Sequence, residues 1–172
     1  VRALVSKRKG VFSLGGDLAF FRSCITDQNQ TALAEYADMA VDLVWESLTA
    51  SGCEQVTSVA VVQGEAQGGG FEAALASHVL IAERGSWFGF PEGLFGLFPG
   101  MGARELLVAR GAGRVAGKLI GSARRISAEE LYSMGVVDVL AETGGGIDAL
   151  RDVAGAQDSA QLADLRGRDR KS

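Results

Sequence analysis

An α/β fold with parallel strands is what this sequence predicts, and three observations predict it. Val56 to Val62 is a short β-branched run that reads as a buried strand. Gly68-Gly69-Gly70 then turns the chain into a helix from about Phe71 to Ser77, and Val79 to Ala82 is a second apolar run of strand length. Strand, helix and strand in that order require a parallel crossover.

The remaining elements follow along the chain. Gly10 to Leu14 reads as a short strand ending in the Gly15-Gly16 turn, after which Asp17 is placed to cap a helix running to about Cys24. Ala32 to Leu48 carries Leu33, Tyr36, Ala37, Ala40, Val41, Val44 and Leu48 at helical spacing, giving one buried stripe, and Ser51-Gly52 closes it. Past Trp87 the chain interleaves Phe88, Phe90, Phe95 and Phe98 with glycines. Helices are expected at about Ala103 to Arg110, Arg114 to Gly121 and Ser127 to Met134, the last opened by a capping box of Ser127 and Glu130. Val136 to Leu140 is a final short strand. Residues 1–154 are expected to form one core and residues 155–172 a polar, charged tail.

Bulk composition narrows the function. At 172 residues, 47% hydrophobic and 22% charged, the chain matches one globular domain with enough apolar material for a core. Seventeen Lys+Arg against 21 Asp+Glu give a net charge of -4, without the basic field that nucleic-acid binding requires. Cys24 and Cys53 have no CxxC spacing, and with one histidine neither a structural zinc site nor a disulfide framework is expected. A cytoplasmic setting is the default. No apolar stretch reaches membrane-span length, and Val1 to Gly10 lacks the apolar core of a signal peptide. The chain does not begin with Met, so it is expected to start inside a longer gene product.

The chemistry concentrates in Gln63-Gly64-Glu65-Ala66-Gln67-Gly68-Gly69-Gly70-Phe71-Glu72 and, downstream, Pro91-Glu92. The glycines leave backbone N–H groups unshielded at a helix start, with one carboxylate in the first turn and a second available, a set suited to holding an oxyanion between two acid/base groups. Each part has an ordinary counterpart: a glycine turn, a first-turn acid facing the helix dipole, a proline-led helix start. Their conjunction outweighs those. Gly68-x-Gly70-x-x-Ala73 also fits a relaxed dinucleotide fingerprint, but it does not follow its strand at once, the next acid, Glu83, comes too early, and Glu72 would face the pyrophosphate with like charge. A serine-hydrolase reading fails for want of a G-x-S-x-G elbow, and His78, at the end of an apolar helix, reads as structural. Arg104, Arg110, Arg114, Lys118, Arg124 and Arg125 read as solvated helix faces, and Lys7-Arg8-Lys9 as a frayed basic end with phosphates or an acidic carrier surface as the alternative.

Together, Phe12-Ser13-Leu14-Gly15-Gly16-Asp17, the Gln63 to Glu72 run, Pro91-Glu92, Phe98-Pro99-Gly100-Met101-Gly102 and the stretch Arg125 to Asp138 resemble the crotonase (enoyl-CoA hydratase/isomerase) superfamily, in order from about Val11 to Val139. Phe12 to Phe21, Gly70 to Leu75 and Leu94 to Ala103 are similar to the diffusible signal factor synthases of that superfamily. The resemblance implies a spiral of strand-strand-helix turns, here lacking the first N-terminal turns. It also implies dehydration of a 3-hydroxyacyl carrier-protein thioester to a cis-2-enoyl thioester, followed by hydrolysis to the free fatty acid. The backbone N–H groups of Gly16 and Gly69 are implied as donors to the thioester oxygen, and Glu72 and Glu92 as the acid/base pair, with their roles left unassigned. Trp87, Phe88, Leu94, Phe95, Leu97, Phe98 and Met101 are expected to wall an acyl tunnel, some of them serving in ordinary packing instead.

No metal or redox cofactor is implied, the partners being acyl carrier protein or a CoA thioester and, by resemblance, two further copies in a homotrimer. Superfamily members carry additional turns ahead of the first glycine motif, which here begins at Phe12, and the helices that build the trimer are short. A fragment, or a shortened and inactive paralogue, is therefore an expectation alongside an ordinary 2-enoyl-CoA hydratase and a non-catalytic acyl-thioester binder.

Overall fold

The computed structural model describes residues 1–52 and 56–156. The first six strands are dealt alternately to two sheets in which all pairs are parallel except β6 with β7. One sheet takes β1 (Arg2–Val5), β3 (Ser58–Val62), β5 (Val79–Glu83) and β8 (Val139–Ala141), in the order β1-β3-β5-β8. The other takes β2 (Val11–Ser13), β4 (Glu65–Gln67), β6 (Trp87–Gly89) and β7 (Ile126–Ser127), in the order β2-β4-β6-β7. Helices close each turn: α1 (Leu18–Thr26) and α2 (Gln30–Thr49) follow β2, α3 (Gly69–Leu75) follows β4, and a 3₁₀ turn at Pro91–Phe95 with α4 (Ala103–Ala109) and α5 (Gly113–Gly121) follows β6. The chain ends with α6 (Ala128–Ser133) before β8 and α7 (Gly146–Gly155) after it. This is the spiral of strand-strand-helix turns expected above.

Apart from Ser58 and Glu83 at their ends, the strands β3 and β5 are apolar because both faces are covered. Their alternate residues serve different cores, as a period of two requires. Ala60, Val62, Leu80 and Ala82 face the large core with Phe71, Phe88, Phe90, Leu107 and Leu131. Val59, Val61, Val79 and Ile81 face a smaller one against Val153, Ala149 and Leu150 of α7. The expected crossover holds, since β3 and β5 pair in parallel from Val59↔Val79 to Val62↔Ala82 with α3 between them.

Local signals account for most helix ends. Asp17 Oδ1 accepts the amides of Ala19 and Phe20, so α1 starts where expected. Asn29 Oδ1 accepts from Ala32 and draws the start of α2 back to Gln30. Ser127 Oγ accepts the Glu130 amide at 3.1 Å, but the Glu130 carboxylate pairs with Arg124, so the capping box is half made.

Three expectations need correction. Residues 2–5 are a paired strand and not a frayed end, in register from Arg2↔Ser58 to Val5↔Val61; the exposed basic residues 7–9 form the turn after it. The last strand starts at Val139, because the amides of Val136 and Val137 turn back to Leu131 O and that of Asp138 is held by Leu80 O. Helix α7 was not foreseen: the buried Glu83 carboxylate at the end of β5 accepts from Gly144 and Gly146, supplying its start from a neighbouring strand. The expected tail lies outside the described residues from 157 onward.

Arg110, at the end of α4, fastens these layers. Its guanidinium donates to Leu75 O, Ser77 O and Val136 O and to Asp138 Oδ2 at 2.8 Å, and the same Asp138 oxygen accepts the Leu80 amide. Both charged side chains are largely buried. Removing one partner of such a pair strands the other, so Arg110→Met is expected to lower the unfolding free energy by about 3–5 kcal/mol, measured by urea denaturation.

Candidate functional site

The parallel pairing of β2 with β4 places two glycine turns side by side. Ser13 pairs with Ala66, and the glycine turn that follows it comes against residues 67–69 at Gly15. The backbones approach more closely than side chains allow. A Cβ on Gly15, whose φ is +87°, would lie 2.9 Å from Gln67 O and 3.1 Å from Gly69 N. Of the neighbouring amides, that of Gly70 is also open among the described residues, whereas Gly15 donates to Ser13 Oγ, Asp17 to Tyr36 Oη, Gly68 to Gly89 O, and Phe71 and Glu72 to Gly68 O. Those of Gly16 and Gly69 meet no acceptor among the described residues.

Glu72 stands in the first turn of α3, 1% exposed. Its Oε1 accepts the amides of Met101 at 2.8 Å and Ala103 at 3.0 Å, which ties α3 to the start of α4. Burial pushes its carboxyl above the ordinary value, the two amides pull the other way, and the charge of Glu92 adds to the rise. Glu92 reaches the same place from the 3₁₀ turn. Its Oε1 lies 2.5 Å from where a Cβ of Gly68 would be, so a side chain at residue 68 would push the Glu92 carboxylate aside and, at φ +53°, would itself be strained. Its Oε2 is buried and has no hydrogen-bond partner among the described residues. Burial raises this carboxyl too, partly offset by its own backbone amide. Two acids of raised pKa are thus near enough to interact, one held by the start of α4 and the other against Gly68.

The residues expected to wall an acyl tunnel do not come together. Trp87 and Phe88 are neighbours on β6 and point to opposite faces. Phe88 fills the core against Phe71, with ring centroids 5.0 Å apart, while Trp87 lies under the Arg125 guanidinium at the surface. Leu94, Phe95, Leu97 and Phe98 are exposed, Phe98 by 87%, because the 3₁₀ turn and the loop after it have nothing packed over them among the described residues. Met101 does reach the site, its Sδ 3.0 Å from the Cβ position of Gly69.

His78 is structural, as expected: its Nδ1 accepts the Ser58 amide at 3.0 Å. Cys24 is buried and free, and Cys53 lies outside the described residues. A cleft between β1 and α2, lined by Arg2, Leu43, Glu46 and Ser58 among others, contains none of the site residues. Among the described residues no cluster of three potential metal ligands occurs, and no helix is long and apolar enough to cross a membrane. Residue patterns alone did not reveal the Met101 and Ala103 amides as the holders of Glu72. The Gly100-Met101-Gly102 turn ahead of a helix was the available signal, since Gly102, at φ +95°, leaves the first amides of α4 open to an outside acceptor.

Comparison with known proteins identifies the family and the fold. The family model for enoyl-CoA hydratase/isomerase matches residues 2–143. A probable enoyl-CoA hydratase of Bacillus subtilis is 31% identical over 140 residues, covering 81% of this chain and 52% of the relative. Among solved structures, DspI of Pseudomonas aeruginosa superposes with TM-score 0.79 at 26% identity, over 97% of this chain and 63% of that one. An enoyl-CoA hydratase of Bacillus anthracis shares the fold with TM-score 0.75 at 24% identity, over 94% and 58%. The chain therefore spans about half to two thirds of the length of these proteins. With the family model covering most of its residues and the two-sheet spiral in place, this chain belongs to the enoyl-CoA hydratase/isomerase family and has the crotonase fold.

Proposed function

We propose that the chain carries an acyl-thioester lyase site that interconverts 3-hydroxyacyl and 2-enoyl thioesters. The observation that carries this reading is that the buried Glu72 and the half-buried Glu92 lie close enough for their charges to interact, both with raised pKa, where Glu92 meets Gly68 beside the Gly69 amide, which lacks an acceptor among the described residues. In the dehydration direction one carboxylate removes the proton on Cα, the electron pair forms the Cα–Cβ double bond, and the hydroxyl leaves Cβ as water after taking a proton from the other carboxyl. Negative charge gathers on the thioester oxygen as the α-proton departs, and the Gly16 and Gly69 amides stabilise it as an oxyanion hole. Glu72 Oε1 is occupied by two amide donors, so its Oε2 is the oxygen that exchanges a proton. The acyl chain leaves past Met101. Only protons, water and the chain's own groups are called on, with CoA or a carrier protein holding the acyl group and a homotrimer as the working assembly.

A second reading refines the first. The similarity of Phe12 to Phe21 and Leu94 to Ala103 to signal factor synthases favours a carrier-protein donor, a cis product and release of the free acid. Glu92, whose Oε2 is buried and unpartnered, is then the group that directs water at the thioester carbonyl. Purified protein given a 3-hydroxyacyl-CoA and the matching carrier-protein thioester is expected to yield 2-enoyl thioester, measured by mass. Free fatty acid from the carrier-protein substrate alone selects the second reading, and no product from either removes both.

Glu72→Gln and Glu92→Gln are each expected to lower turnover by about 10²–10⁴-fold in the same assay; full activity in either removes that residue from the chemistry. Both carboxyls are raised in the folded protein, so it retains protons that the unfolded chain has already released. Their contribution to stability is complete below the ordinary carboxylate range and is lost as pH rises through the raised values. Glu92→Gln is expected to flatten that decline, read as a smaller fall in melting temperature as the pH is raised above the ordinary carboxylate range.

A further inference from the structure

We propose that Tyr36 is a positioning residue that fixes the orientation of the Gly16 amide, an inference resting on the thioester reading above. The amide belongs to the peptide between Gly15 and Gly16, and the peptides on both sides are pinned. Before it, the Gly15 N–H donates to Ser13 Oγ at 3.3 Å. After it, the Asp17 N–H donates to the Tyr36 hydroxyl at 3.2 Å. Asp17 is also held from its other end, its Oδ1 accepting the amides of Ala19 and Phe20 at 3.0 Å each.

The tyrosine ring has little freedom of its own. It stands edge-on to Phe21 at 4.9 Å and stacks on Phe20 at 5.3 Å, so α2 delivers its hydroxyl to one spot. Phe21 closes the same space from beneath: a Cβ on Gly16 would lie 2.7 Å from its Cε2 and 3.8 Å from the Tyr36 oxygen. Rotating the peptide between Gly15 and Gly16 changes the torsions that lead into both pinned neighbours, so the two hydrogen bonds oppose rotation of the unoccupied amide. Ring packing explains an aromatic residue at position 36 and leaves the hydroxyl unexplained, whereas the bond to Asp17 uses it. An oxyanion donor acts by preorganised aim, and misplacement by about 1 Å can cost on the order of 100-fold in rate.

Tyr36→Phe keeps the rings and removes the acceptor. In ¹⁵N-labelled protein the Gly16 and Asp17 amide resonances are expected to shift and Asp17 hydrogen exchange to quicken. With a 2-enoyl-CoA substrate, kcat is expected to fall by about 10- to 100-fold with KM nearly unchanged, the signature of an interaction made in the transition state. An unmoved Gly16 resonance, or a moved one with wild-type kcat, overturns the proposal; a raised KM with unchanged kcat marks a packing role and overturns it too. If the wild type neither binds nor turns over any thioester, the functional reading falls separately, and the Gly16 resonance in Tyr36→Phe still decides whether the hydroxyl sets this amide.

Discussion

Two stretches of main chain meet here at a separation that no side chain permits, and the site exists because of that contact. A Cβ at residue 15 would strike Gln67 O and Gly69 N, and one at residue 68 would strike the Glu92 carboxylate. The β2–β4 register sets the first approach and the turn after β6 sets the second. Each comes from a different lap of the spiral, so the fold is what converts segments remote in sequence into one constellation.

Once those backbones touch, the electrostatics follow. A carboxylate placed in a closed, largely apolar region loses hydration, and its neutral form gains relative to its charged form. Glu72 is compensated on one oxygen by the Met101 and Ala103 amides, while Glu92 keeps an oxygen with no partner among the described residues. The two acids are thus unequal in support although both are raised. That inequality is the physical basis on which one can hold a proton while its neighbour gives one up. An uncompensated buried oxygen opposes folding, and a site under stability selection alone would not retain it.

The α/β class, the parallel crossover and the positions of α1 to α6 were legible because they rest on local causes: β-branched runs for β3 and β5, Asp17 and Ser127 as caps, apolar spacing in α2. Gly16, Gly69, Glu72 and Glu92 were singled out by the motifs they lie in, and their roles belong to the proposed function. What stayed hidden depends on partners far along the chain. β1 is too short to announce itself until β3 is present to pair with it. α7 needs the Glu83 carboxylate at its start. The expectation for residues 87–101 treated aromatic content as a wall, but alternation along β6 sends Trp87 and Phe88 apart, and residues 94–98 lie on the surface. Composition does not encode direction.

The double duty of Glu72 has a further consequence for how the molecule forms. Its oxygen is the acceptor for the opening amides of α4, and at the other end of that helix Arg110 grips the carbonyls of Leu75 and Ser77 just beyond α3. These two short helices therefore dock on each other through both of their ends, and neither is long enough to persist alone in water. They are expected to acquire structure as one cooperative unit after the strands have found their distant mates. The contact of Glu72 with the start of α4 is accordingly expected to form late in folding.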